Sequence, residues 1–348
     1  MTATSPKRCS IKRVPHLVAA PDKFRGTATA HQVAAAMTKA AQDLGWTVDA
    51  APVSDGGEGF CSVLGGRPRP LRVRGPLGDP VDAAWYELDD TTAAIESAMA
   101  CGLELAGGPK RNDPVRADTA GAGELIAAAV KAGARRLLIG MGGSATTDGG
   151  WGALEVLEPH SRLAGVDLVV ACDVTTRFTD AAATFAPQKG ASATQVELLA
   201  RRLERLAQLY RERFGIDVQS IDGSGAAGGL AGGLAALGAT LVSGFEVVSD
   251  RIDLAERIEG ADLVLTGEGY LDEESFNGKA VGGVVELAEE LGVPVVVVAG
   301  AADEDLPATT QVRAEVRTLT RTFGEARALA DTAGAVSDLV ADVLAHFA

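Results

Sequence analysis

Five apolar runs in this chain end in short polar or glycine-rich turns: Asp22-Lys23, Asp55-Gly56-Gly57-Glu58, Gly142-Gly143-Ser144, Asp173 and Gly267-Glu268. The carboxylates of Asp55, Asp148, Asp173 and Glu268 and the cations of Lys23, Arg25, Lys189 and Lys279 lie in or beside glycine-rich or strand-end stretches. Phosphoryl transfer needs this inventory: cations and amides around phosphates, carboxylates to hold Mg²⁺, and a base near the attacking hydroxyl. In open α/β sheets, ligands sit at the carboxyl ends of the strands, which is where such turns fall. From the residues alone, which aspartate takes the proton and which holds the metal stays open.

The densest stretch runs from Ile139 to Gly150 (IGMGGSATTDGG). Backbone without Cβ approaches a ligand closely and presents several N–H groups to one anion. A helix starting there adds its dipole to the same spot. The competing reading is a tight strand-to-helix turn in which Asp148 or a threonine caps the helix. A second glycine signal, Gly223 to Gly228 (GSGAAG) with Glu246 beyond it, has the literal spacing of a dinucleotide fingerprint. That would favour an oxidoreductase. The preceding Asp217 to Ile221 is a weak strand, however, and Gly229, Gly232 and Gly233 also fit close packing of a small-residue helix. Gly278-Lys279-Ala280 lacks the rest of a Walker A motif, no nucleophile elbow occurs, and the four histidines form no triad or zinc pattern.

These turns need elements to hold them. His16 to Ala20 reads as a buried strand, followed by a helix capped by Thr29 with Val33, Met37, Ala41 and Leu44 inward and Gly45 as its stop. A strand over 46–53 follows, then alternating antiparallel segments over 69–95 around Gly75-Pro76-Leu77-Gly78. Helices are predicted at 120–133, from Ser192 through a capping box to Tyr210, at 223–238, at 280–291 and over 325–346. Strands are predicted at 136–140, 167–172, 262–266 and 293–299. This alternation implies an α/β fold with a largely parallel sheet and right-handed crossovers.

Composition narrows the classes. The chain has 348 residues, 47% of them apolar, only 4% aromatic, with 42 glycines, so an Ala/Val/Leu/Gly-rich α/β protein of two domains is expected. A formal charge of −15 excludes nucleic acid and anionic membranes as partners, since both demand a basic face. Cys9, Cys61, Cys101 and Cys172 are scattered, as in reduced cytosolic proteins. Residues 1–13 lack the apolar core of a secretory signal, and the apolar run 293–302 is too short to span a bilayer, so a cytoplasmic location is expected.

Seven motifs resemble, in order over nearly the whole chain, those of class I glycerate kinases: Ala20 to Gly26 (APDKFRG), Ser54 to Gly59 (SDGGEG), Gly142 to Gly150 (GGSATTDGG), Cys172-Asp173-Val174, Phe185 to Gly190 (FAPQKG), Gly223 to Gly229 (GSGAAGG), and Thr266 to Gly269 (TGEG) with Gly278-Lys279. The resemblance implies ATP-dependent phosphorylation of D-glycerate, usually on the 2-hydroxyl, with Mg²⁺ as cofactor and no partner beyond the small-molecule substrate. It implies a discontinuous Rossmann-like domain (1–73 plus 262–348) and an inserted α/β domain (74–261), with the site in the cleft between them. On that basis Asp173 is expected as the base, with Lys23 and Asp148 also catalytic. Asp22, Arg25, Asp55, Gly56, Gly57, Gly142, Gly143, Ser144 and Lys189 are expected at the substrate. Gly225, Gly228, Gly229, Glu268 and Lys279 are expected at ATP, and Asp55 and Glu268 at the metal. A monomer or homodimer fits. The chain departs from the family pattern in a short segment 153–168, in the stretch after Asp173, and at Tyr270, where many members carry Arg. Another small hydroxy acid as acceptor, the oxidoreductase built on Gly223 to Gly228, and a non-catalytic anion-binding module are the alternatives.

Overall fold

The computed structural model describes residues 13–276, 279–303 and 314–347. Residues 1–12, with Cys9, and Gly278 of the Gly278-Lys279 pair lie outside them. In chain order the first elements are β1 (His16–Pro21), α1 (Ala30–Asp43), β2 (Thr47–Ala50), α2 (Phe60–Leu64), β3 (Arg67–Arg74), β4 (Pro80–Glu87) and β5 (Thr92–Glu96). Then come α3 (Ala98–Cys101), α4 (Ala120–Ala132), β6 (Arg136–Gly140), α5 (Trp151–Val156), β7 (Asp167–Ala171), α6 (Ala181–Phe185), α7 (Ala193–Phe214), α8 (Ala226–Ala236) and β8 (Thr240–Val242). The chain closes with α9 (Gly244–Arg251), α10 (Leu254–Glu259), β9 (Leu263–Gly267), β10 (Tyr270–Leu271), α11 (Ala280–Glu290), β11 (Val295–Ala299), β12 (Ala301–Ala302), β13 (Glu315–Thr318), α12 (Leu319–Phe323), α13 (Glu325–Ala330) and α14 (Thr332–Phe347).

The first sheet has the order β13-β11-β9-β1-β2 and is parallel throughout. Its central strands β9 (LVLTG) and β11 (VVVVA) are buried at every position, as a sheet covered on both faces requires. Strand order reverses between β1 and β9, because β1 leads to β2 on one side while β9 leads to β11 and β13 on the other. The second sheet runs β3-β4-β5-β6-β7-β8, antiparallel up to β5 and parallel from there on.

Three apolar layers flank the two sheets, and a fourth lies outside them. Helices α1 and α14 cover one face of the first sheet, around Met37, Trp46 and Leu339. The layer between the two sheets joins Val18, Val264 and Val297 of the first to Leu138, Val169 and Ala171 of the second, through Phe60 of α2, Phe245 of α9 and Val284 of α11. Helices α4 and α8 cover the far face of the second sheet, and α7 packs outside them around Phe178 and Tyr210.

Local chemistry explains the helix starts. Thr29 and Ser192 each accept the N–H of a glutamine three residues on, and that glutamine's side chain returns to the cap backbone, so both predicted capping boxes are formed. Several expectations need correction. Leu44 is the C-cap of α1 and is 49% exposed, because the apolar stripe runs out one turn earlier. The C-terminal helix is two helices, since Asp331 leaves helical geometry at φ −140° and ψ 58°. Of the expected domain limits, 73/74 falls at the end of β3 in the second sheet, and 261/262 falls between β8 and β9, where the chain returns to the first sheet. Arg67–Arg74 pairs along its length with β4, and α9 and α10 bury Phe245, Val248, Leu254 and Ile258 in the layer shared with the first sheet. Among the described residues no helix is long and apolar enough to cross a membrane.

Gly228 has φ +68°, and a Cβ there would fall 1.9 Å from the carbonyl oxygen of Thr146. Gly238 has φ +95° but open space around it. Gly228→Ala is therefore predicted to cost about 2–4 kcal/mol in urea unfolding, the sum of overpacking and backbone strain, against about 1 kcal/mol for Gly238→Ala. Equal losses in the two variants would contradict this packing.

Candidate active site

The carboxyl ends of β1, β6, β7 and β9 converge on one region. The loop after Val53 reaches it because glycine lets backbones touch. A Cβ on Gly142 would lie 2.6 Å from the Cα of Gly57, one on Gly140 2.6 Å from the oxygen of Gly56, and one on Gly244 2.2 Å from the oxygen of Asp55. These contacts bring Asp55, carried by the first sheet, against Asp173, which follows β7 of the second.

Two cavities meet there. One, of about 600 Å³, is lined by Gly142, Gly143, Ser144, Asp173 and Lys189 of the second sheet's loops. The other, of about 650 Å³, lies beyond the β1/β9 reversal and is lined by Asp22, Glu268, Gly269, Tyr270, Ser275 and Gly300. Lys23, Arg25, Asp55 and Lys279 line both. A reversal of strand order opens a crevice between loops that leave in opposite directions, the usual ligand position in such sheets.

Lys23 is the hub. Its Nζ lies 3.4 Å from Asp22 Oδ2 and 3.4 Å from Asp55 Oδ1, and its backbone N–H donates to Asp22 Oδ1 at 2.6 Å. Burial pushes the Asp22 carboxyl up to about 6, against the pull of Lys23 and with the push of Asp55. Burial raises Asp55 as well, but Lys23, the Gly57 N–H and Arg25 outweigh it and leave that carboxyl below its ordinary value. Asp173 accepts the Gly244 N–H on Oδ1 at 2.8 Å, while its Oδ2 is buried without a partner. Burial, seconded by Asp55, lifts its carboxyl to about 6. Glu268 also carries an unpartnered buried oxygen, Oε1, and burial together with Asp22 and Asp55 raises it to about 7. Lys279 pairs with Glu274 at 3.0 Å.

On the second sheet's side, Gly143 takes φ +61° and its carbonyl accepts the Leu103 N–H at 2.7 Å. Lys189 is buried and donates to Ser144 Oγ at 2.9 Å and to the Thr146 carbonyl at 2.6 Å.

Two groups of expected residues are placed elsewhere. Asp148 does not line the cleft. Its oxygens accept from Thr119 N (2.9 Å), Thr119 Oγ1 (2.8 Å), Gly150 N (3.2 Å) and Gly152 N (3.1 Å), so it ties α5 to α4, and burial raises its carboxyl. Gly225, Gly228 and Gly229 line neither cavity. Added Cβ atoms there would meet the backbone of Arg177, Thr146 and Gly149, so these glycines exist for close packing, and only Ala226 and Ala227 of that segment reach the cleft. No strand precedes Gly223, only the short turn Val218–Ser220, which removes the dinucleotide fingerprint.

Three contributors were not expected. Glu96, at the end of β5, receives the Gly59 N–H on both carboxylate oxygens (3.3 and 3.2 Å) and anchors the Asp55 loop to the second sheet. Asn112 bridges the carbonyls of Ala145 (3.0 Å) and Lys189 (2.9 Å). Gly244 holds Asp173. None lies in a glycine-rich turn, and only the tertiary fold brings them in.

Cations, carboxylates and two adjoining cavities between two α/β sheets define a phosphotransferase-type cleft. The glycerate kinase family model matches residues 17–160 and 155–348. A glycerate 2-kinase from Escherichia coli (strain K12) is 36% identical over 83% of this chain and 86% of its own length. A glycerate kinase from Bacillus subtilis (strain 168) is 37% identical over 85% and 87%. The crystal structure of a Salmonella typhimurium LT2 protein assigned as glycerate kinase 2 superposes with a TM-score of 0.79 at 32% identity, covering 96% of this chain and 98% of that one. The chain belongs to the glycerate kinase family.

Because burial raises Asp173 from 3.8 to about 6, the folded state holds that proton more tightly than the unfolded chain. The stability this lends is complete below pH ~4 and lost as pH rises through 6. Asp173→Asn, which keeps an oxygen for the Gly244 N–H, is predicted to melt at least ~1 °C above the parent at pH 8, with no gain at pH 4. A variant less stable than the parent at pH 8 would contradict this account.

Proposed function

We propose that this chain transfers the γ-phosphoryl group of ATP to the 2-hydroxyl of D-glycerate, with Mg²⁺ bound alongside the nucleotide. The observation that carries the reading is the meeting of two cavities at Lys23, Asp55 and Lys279, one lined by Asp173 and the other by Glu268. The relative named glycerate 2-kinase supports this choice of acceptor and carbon. Buried free Cys61, Cys101 and Cys172 fit a reducing cytoplasm.

In this reading ATP enters the cavity at the β1/β9 reversal and glycerate the cavity under Gly142 to Ser144. Lys23 and Arg25 stand between them, where charge moves from one ligand to the other. They stabilise the transferring group electrostatically in a site already organised for it. Asp173 lines the acceptor cavity with one oxygen fixed by Gly244 and the other without a donor, and a carboxyl titrating near 6 is mostly ionised at neutral pH yet basic enough to accept the hydroxyl proton.

The residues present fit Mg²⁺. Asp55 and Glu268 line the same cavity, and Glu268 carries an acceptor oxygen that no donor satisfies. Among the described residues no three carboxylate, His or Cys side chains cluster as a protein-only metal cage. Mg²⁺ at a nucleotide needs none, since it takes one or two carboxylates and completes its shell with phosphate oxygens and water. When bound it supplies positive charge against the phosphates.

Incubation with Mg-ATP and D-glycerate is predicted to release ADP only when both are present, with phosphorus NMR placing the phosphate on carbon 2. ADP release that ignores the acceptor would sink the reading. Asp173→Asn is predicted to lower kcat about 10²–10⁴-fold with the fold retained, measured by coupled ADP assay and circular dichroism. Near-normal turnover would remove Asp173 as the base.

A further inference from the structure

Lys189 lines the cleft and, among the described residues, forms no ion pair with any carboxylate of it. It is 4% exposed, and its two hydrogen-bond acceptors, Ser144 Oγ and the Thr146 carbonyl, are both neutral. An ammonium has three donors, so one remains. The lysine is fixed from behind, because Asn112 donates from one amide to both the Lys189 and the Ala145 carbonyls. The titratable groups that face it from the packed elements are Asp148 and Cys101, and Glu104 lines the same cavity. Asp148 gives it no direct contact, since its oxygens are committed to Thr119, Gly150 and Gly152. A buried ammonium without a counter-ion is costly, and a side chain in that state either loses its proton or acquires an anion.

We propose that Lys189, with Ser144, is the subsite for the carboxylate of the acceptor, and that it takes up a proton when that carboxylate binds. The inference rests on the acceptor cavity assigned above. Charge matching selects a carboxylate over a phosphate: a single lysine among neutral partners balances one negative charge, whereas Lys23, Arg25 and Lys279 gather at the junction with the other cavity, where a polyphosphate needs them. The step balances as neutral amine plus proton plus carboxylate giving an ammonium–carboxylate pair, with the proton drawn from solvent. Burial, only partly offset by Asp148 and Cys101, depresses this lysine to about 7 in the empty site, so at pH 8 the empty site is largely uncharged. Such a subsite favours acids over neutral polyols of the same size, because only an acid returns the energy of charging the buried amine.

The test is calorimetric titration of the whole protein with D-glycerate, without nucleotide, in buffers of different ionisation enthalpy. At pH 8 the wild type is expected to take up close to one proton per D-glycerate bound, and at pH 5.5 close to none. Lys189→Met is expected to abolish that uptake and weaken D-glycerate binding about 100-fold, while leaving Mg-ADP binding unchanged. Weakened Mg-ADP binding with intact D-glycerate binding would assign the lysine to a phosphate and overturn the proposal. Should Lys189→Met fail to fold, the wild-type measurement decides alone: binding without proton uptake at pH 8 overturns it. ADP release with D-glycerate but no uptake would defeat this inference and leave the kinase reading standing. No D-glycerate binding and no acceptor-dependent ADP would overturn both.

Discussion

The cleft depends on one steric constraint, the backbone-to-backbone approach of the loop after Val53 to the carboxyl edge of the second sheet. Gly56 and Gly57 press against Gly140, Gly142 and the Ala171 carbonyl at distances that leave no room for a Cβ. Glu96 pins the same loop from β5 by taking the Gly59 N–H. Without this contact, Asp55 and Asp173 would belong to separate sheets with water between them. With it, they share a field, which is why Asp55 helps to raise Asp173.

That proximity sets the electrostatics. Asp22 and Asp55 flank one lysine and are both buried, yet they move in opposite directions. Asp55 gains the Gly57 N–H and Arg25 in addition to Lys23, whereas for Asp22 burial and the neighbouring Asp55 prevail. Glu268 and Asp173 stand at the two ends of the same cluster, each with an oxygen that no donor satisfies. In a protein of charge −15, Lys23, Arg25, Lys279 and Lys189 are grouped at this cleft, and burial leaves several of its carboxylates titrating near neutrality.

Glycine has two separate uses in this molecule. In the Gly142 to Ser144 turn it opens a wall of the cleft. In α8 it serves packing: residues 227–229 adopt positive φ, and the segment lies directly on the backbone of Thr146 to Gly149, holding that wall from behind. Asp148 belongs to the same support. It joins Thr119 at the start of α4 to the amides that open α5, so a residue inside the most reactive-looking motif works as a structural tie.

The alternation of strand and helix, the two capping boxes and the polar turns at the strand ends were all legible in the sequence, because they follow from local periodicity and side-chain-to-backbone geometry. So were many of the groups that line the candidate cleft: Lys23, Arg25, Asp55, Ser144, Asp173 and Lys189 all stand in motifs visible in the sequence. That Asp148, Gly225, Gly228 and Gly229 lie off the cleft was not legible, because a carboxylate that caps and one that faces a ligand look alike until their donors are placed, and so do glycines that pack and glycines that cradle. Nor could it find Glu96 and Asn112, whose hydrogen-bond partners lie 37 and 33 or more residues away. Local sequence chose the chemical groups. The close approach of two sheets through glycine decided which of them face each other and what charge each carries, because burial and neighbouring charge exist only once distant segments are packed together.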